Sequence, residues 1–260
     1  MHRDPPAFGY RPDPRHTTRG TPDRDPPASV LDVVDSDQAI DLTPWAPEAH
    51  YQGSQGSCTA HAGCGGCEGL MAMAVREGLW GGKPFRLSRL ATYQQTLANA
   101  GHRGRDMGAS GAEMCRTLAR ALPDDAAWPY SEHLGTDLPP PQAWTARRLI
   151  EWRGVAHNAR AIRAALALAC PVLIGVPVFS GERGMASAHA FETGEVREPE
   201  DADEITGWHM VSVWAHDPRT GLYTIQNSWR GWGQERCLGT IPQVFVHGRA
   251  NEIIALGAVR

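Results

Sequence analysis

The sequence predicts an α+β chain, mainly helical in its first part and strand-rich in its second. Ala60, Cys64, Cys67, Met71 and Ala74 recur at alternating spacings of four and three, the stripe of a buried helix face. Pro139-Pro140-Pro141 is the clearest internal boundary. Beyond it, Val172 to Phe179 has the length and β-branched content of a buried strand. The chain has 260 residues, 42% hydrophobic and 21% charged, enough for one large domain or two lobes sharing a cleft.

Residues 1 to about 40 are rich in Pro, Asp and Arg and read as an extended arm that wraps the domain or covers a site. Asp41 to Pro47 is an ordered lead-in, with Trp45 as an anchor. A Gly/Ser-rich turn, Gln52 to Ser57, then delivers Cys58 to the start of the central helix. Gly63, Gly65, Gly66 and Gly69 each cost roughly 1 kcal/mol inside a helix relative to Ala, so close approach of a neighbouring element is expected there. Ser88 is the expected N-cap of a second helix running to about Ala100, and a Gly-rich loop at 101–111 precedes a third, from about Ala112 to Ala121. After the prolines, a helix near Ala159 to Ala169 leads into the Val172 strand. A long polar loop at 180–206 follows, then strands at His209 to Trp214, Leu222 to Gln226 and Cys237 to Ile241.

Several function classes are disfavoured. Net charge is −4 and there is no dense Lys/Arg run, so nothing argues for nucleic acid or an anionic membrane surface. No apolar run approaches the ~20 residues of a spanning helix, and the N-terminus lacks the apolar core of a secretory signal, so the expectation is a soluble cytoplasmic protein. If Cys58 is a free thiol, the other five cysteines cannot all pair within the chain, which argues for a reducing compartment.

The chemistry-bearing residues lie in three places. Cys58 heads a helix, where unpartnered N–H groups and the helix dipole favour a thiolate, so a lowered pKa and a nucleophilic role are expected. His209 is placed on a strand and Asn227 at the end of the next, where the two could be neighbours. Such a thiol needs a base to take and return its proton, and the base needs a partner that fixes its tautomer. Gln52, six residues before Cys58, is the candidate oxyanion donor together with the Cys58 N–H. His61 lies one turn along, behind the thiol, and is expected to be packed or solvated; Cys64 and Cys67 are expected in the core. The competing reading is a metal-binding module, Cys58-x2-His61-x2-Cys64-x2-Cys67, but a regular helix cannot converge all four on one ion.

Gln52 to Ala60, Leu87-Ser88 with Tyr93, Trp128-Pro129-Tyr130, Gly207-Trp208-His209 and Asn227-Ser228-Trp229 through Gly233 together resemble a papain-like (C1-type) cysteine peptidase of the bacterial branch. The resemblance spans nearly everything after residue 41. It implies a two-lobed fold, a helical lobe at about 41–138 and an antiparallel β-barrel lobe at about 139–260, with residues 1–40 as a possible short pro-segment. Cys58 would face His209 across the cleft, Asn227 would orient His209, Trp229 would shield that contact from water, and Gln52 would complete the oxyanion hole. The Gly104 to Ala109 loop resembles the edge that binds an extended substrate backbone, making Gly108 and Ala109, with Trp208 and Trp229, the expected substrate contacts. The implied partner is a peptide or protein, and neither cofactor nor metal is implied. Thr59, Gln55, Trp208 and Arg230 depart from the usual pattern, and Gln55 removes a disulfide found in secreted members. Acyl transfer to amines and a catalytically silent peptide-binding role are the neighbouring alternatives.

Overall fold

A computed structural model of the chain describes residues 8–12 and 28–259. Helix α1 (Ala28–Val34) lies inside the segment expected to be an extended arm, and it packs against α5 (Ala159–Ala167).

Helix α2 (Cys58–Arg76) is the expected central helix, buried continuously from Cys58 to Met71. It packs against α3 (Arg89–Asn99) and α4 (Gly111–Leu118), and also against the sheet. Three of its glycines mark these approaches. A Cβ at Gly63 would run into the Met114 side chain, one at Gly66 into Leu256, and one at Gly69 into Trp214. Gly65 differs: its nearest neighbours would be 3.7 and 3.8 Å away.

The helix starts are chemically defined. Ser88 caps α3 by accepting from the Ala91 N–H at 3.0 Å, as expected. Ser110 and Glu113 form a capping box on α4, and the Glu252 carboxylate accepts from the Gly111 and Ala112 N–H groups at 2.8 and 3.2 Å. Glu68 of α2 holds Arg89 through both guanidinium nitrogens and also accepts from the Leu87 N–H at 2.6 Å; both side chains are buried.

The strands β2 (Leu149–Gly154), β3 (Val172–Phe179), β4 (Ile205–Asp217), β5 (Leu222–Gln226), β6 (Leu238–Pro242) and β7 (Glu252–Val259) form one antiparallel sheet. Its order is β2-β7-β3-β4-β5-β6, with β1 (Ile40–Asp41) paired to β4 off this path. The sheet is open, which corrects the expected closed barrel. Five-residue β6 runs directly into α7 (Gln243–Arg249), which packs on β3 and β6, so nothing bridges β6 to β2. The loop at 180–206 carries α6 (Ala188–Thr193), and β4 begins four residues before His209. Val172, Ile174, Val176 and Val178 of β3, with Val211, Val213, Tyr223 and Ile225, anchor the larger core; α2 and β7 share a second.

All six cysteines are buried free thiols, and no helix among the described residues is long and apolar enough to cross a membrane.

Candidate active site

Cys58 is the first residue of α2, and its position is set by the turn before it. Gln52 is fully buried: its Nε2 donates to the Gln55 carbonyl at 2.9 Å, and its Oε1 accepts from Ser228 Oγ at 2.6 Å. The Gly56 N–H donates to Asp106, which also accepts from Tyr93 Oη, and that hydroxyl accepts from the Gly108 N–H at 3.0 Å. The Glu132 carboxylate accepts from the Ser54 N–H at 2.9 Å. Asp106 and Glu132 were not singled out from the sequence, because each reaches the turn from a distant segment.

Pairing of β3 with β4 sets His209 opposite Val176, and pairing of β4 with β5 sets Ser212 opposite Gln226. Asn227, just past β5, therefore stands beside His209. His209 Nε2 lies 2.8 Å from Asn227 Oδ1, and the Ser228 N–H donates to the same oxygen at 2.7 Å. That second donor fixes the amide so that its oxygen faces the ring. Nε2 therefore carries the hydrogen, and Nδ1, buried and without a hydrogen-bond partner, keeps the lone pair. The Trp229 ring lies over His209, with centroids 4.3 Å apart. The backbone of Met210, one residue on, is close enough to Cys58 to favour its thiolate form.

Cys58 and His209 are fully buried, and residues 8–11 pack against the turn, strand and loop around them. Gly9 sits against the Gly56 backbone so closely that a Cβ would overlap the Gly56 carbonyl. The Gly9 backbone is close enough to Cys58 to favour its thiolate form. Tyr10 forms a parallel bridge with Ala109: the Ala109 N–H donates to the Gly9 carbonyl at 2.9 Å, and the Arg11 N–H to the Ala109 carbonyl at 3.0 Å. Phe8 meets Trp229 edge-on, and Tyr10 meets Trp208 in the same manner.

This cover corrects the expected thiolate. Burial pushes the Cys58 thiol up to about 11, outweighing the backbone groups of Met210, Gly9, Thr59 and Cys58 itself. Burial likewise pushes His209 down to about 4, against the bond to Asn227. In this covered arrangement the pair is neutral thiol and neutral imidazole.

His61 is packed, edge-on to Tyr130, with its Nδ1–H donating to the Ser57 carbonyl at 3.0 Å. Cys64 and Cys67 are core residues, and no metal-binding group of three or more His, Cys, Asp or Glu occurs among the described residues. Gln55 accepts from Tyr130 Oη at 3.2 Å, and Arg230 lies over the Tyr51 ring at 4.7 Å.

No protein-family model and no curated protein matches the sequence. Solved structures do. The chain superposes on xylellain, a cysteine protease from Xylella fastidiosa, with a TM-score of 0.79 at 21% identity, covering 100% of this chain and 99% of that one. The fold is that of a papain-like cysteine protease. A second papain-like structure, digestive procathepsin L 3 of the Tenebrio molitor larval midgut, matches with a TM-score of 0.60 at 16% identity over 83% of this chain and 68% of that one.

Proposed function

We propose that the chain is a cysteine peptidase of the papain type, held latent by its N-terminal segment, which acts in the cytoplasm on peptide or protein substrates. The observation that carries this reading is the His209–Asn227 pair, with its unpartnered Nδ1 on the strand whose next residue comes close to Cys58 at a helix N-terminus. We take the helical part, about 41–138, and the sheet part, about 139–260, as two lobes with the site in the cleft between them. Residues 1–40 would serve as a short pro-segment.

Withdrawal of residues 8–12 would return water to the site and remove the desolvation that keeps both groups neutral. The Cys58 proton would then pass to His209 Nδ1. The thiolate sulfur attacks the carbonyl carbon of the scissile bond, and the oxyanion takes hydrogen bonds from the Cys58 N–H and the Gln52 amide. His209 returns its proton to the leaving amine nitrogen, giving a free amine and a Cys58 thioester. It next takes a proton from water, whose oxygen displaces the sulfur and releases the acid. Asn227 holds the ring in register for both transfers, and Trp229 excludes water from their contact.

Gly9→Val would drive a side chain into the Gly56 backbone and so lift the segment. Intact mass after treatment with an epoxide thiol-peptidase inhibitor tests the reading. Wild type should react slowly; Gly9→Val should gain one adduct on Cys58 at least about tenfold faster, and His209→Ala in that background should lose it. Full-rate labelling of a site without His209 would mean an exposed cysteine and no base.

A further inference from the structure

Tyr10 is the buried large side chain of the covering segment, and it sits in a fitted receptor. Its ring lies over Gly175 of β3, where any Cβ would collide with the ring. Trp208 closes one side, with ring centroids 6.1 Å apart at 63°. The phenol hydroxyl donates to Asn251 Oδ1 at 2.7 Å, and Asn251 is itself held by its N–H bond to the Gly175 carbonyl at 2.8 Å. Tyr10 is buried and belongs to the same apolar cluster as Cys58 and Met210. Its flanking backbone groups bond Ala109, the edge expected to hold substrate backbone.

We propose that this receptor selects tyrosine among substrate side chains: Gly175 and Trp208 admit a flat aromatic ring, and Asn251 Oδ1 reads its para hydroxyl. The proposal rests on the peptidase reading above. A substrate that displaces the segment pairs with Ala109 and meets the walls that Tyr10 vacates. Phenylalanine fills the pocket but leaves Asn251 Oδ1 without the phenol donor, and aliphatic side chains also lose the face of Trp208. One hydrogen bond to a neutral acceptor is worth about 3- to 10-fold in affinity. Asn251 adjoins Glu252, whose carboxylate is bonded to the start of α4, so the pocket floor is anchored from two sides. Asn251 is a specificity residue and has no part in bond cleavage.

The test uses the full-length Gly9→Val chain and internally quenched octapeptides in which each position is varied in turn, with products identified by mass. Tyrosine should be enriched at one fixed offset from the cut, about 3- to 10-fold over phenylalanine and more over leucine. Asn251→Leu should bring the Tyr/Phe ratio to about one. Cleavage with no tyrosine preference at any offset overturns the pocket and leaves the peptidase reading standing. If no peptide is cut, the peptidase reading falls, and the pocket is judged by alkylation of Cys58 in otherwise native chains. Tyr10→Phe and Asn251→Leu should each raise that rate about 3- to 10-fold, and the double variant should add nothing further. Equal rates in wild type and Tyr10→Phe overturn the pocket, and Asn251→Ser gives the same readout should Asn251→Leu fail to fold.

Discussion

Removing Arg89 would strand the Glu68 carboxylate in the core. The pair is bidentate, both side chains are buried, and Glu68 also accepts from the Leu87 N–H. Losing one member of such a pair leaves an uncompensated charge, so Arg89→Ala should cost about 3–5 kcal/mol in urea unfolding. A loss below about 1 kcal/mol would mean that water reaches Glu68. At this scale the proposed triad was legible in the sequence as a pattern. Cys58, His209 and Asn227 stand out by type and order, because the proposed nucleophile, base and orienter are different side chains on different elements. Tyr10, Gly175 and Asn251 could not be read in the same manner. They meet only after the chain has folded, and nothing in an isolated Asn or Gly signals which aromatic ring it will face.

Helix α2 sorts its glycines by what lies across from them. Gly69→Ala would drive a methyl into Trp214 and should destabilise by about 1–3 kcal/mol. Gly65→Ala meets only ordinary contacts and should stabilise by up to about 1 kcal/mol through helix propensity. Thermal denaturation of the two variants side by side checks the contrast; shifts of the same sign would contradict it. The elements the sequence made legible are those whose pattern is set locally: α2 by its stripe, α3 by the Ser88 cap, β3 by its unbroken apolar run. Those it hid depend on tertiary partners. Helix α7, Gln243 to Arg249, contains two valines and a phenylalanine and is held by packing against β3 and β6. Edge strand β2 carries Glu151 and Arg153 and pairs only with β7, so its pattern resembles a loop.

Across the whole molecule, several buried imidazoles make stability depend on acid pH. Burial lowers His209 to about 4; burial, then the nearby Arg89 charge, lowers His61 to about 3 and His50 to about 2. His50, His61, Arg89 and Asn227 line one small cavity with Glu48, and the positive charge of Arg89 disfavours protonation of both His50 and His61. Unfolded histidines take up protons near pH 6.5 while these stay neutral in the fold, so stability is full above pH 6.5 and is lost as pH falls toward the folded values. Each such ring contributes a slope of about 1.4 kcal/mol per pH unit in that window. Urea midpoints should therefore drop between pH 7 and pH 4.5, and His61→Gln should flatten the drop; an unchanged slope would acquit His61. The six unpaired thiols make the molecule its own gauge of motion. A mass-tagged alkylating reagent should leave the closed chain unlabelled, add one tag where only the covering segment has swung aside, and add six where the chain has unfolded. A single spectrum would then separate opening from melting without any substrate.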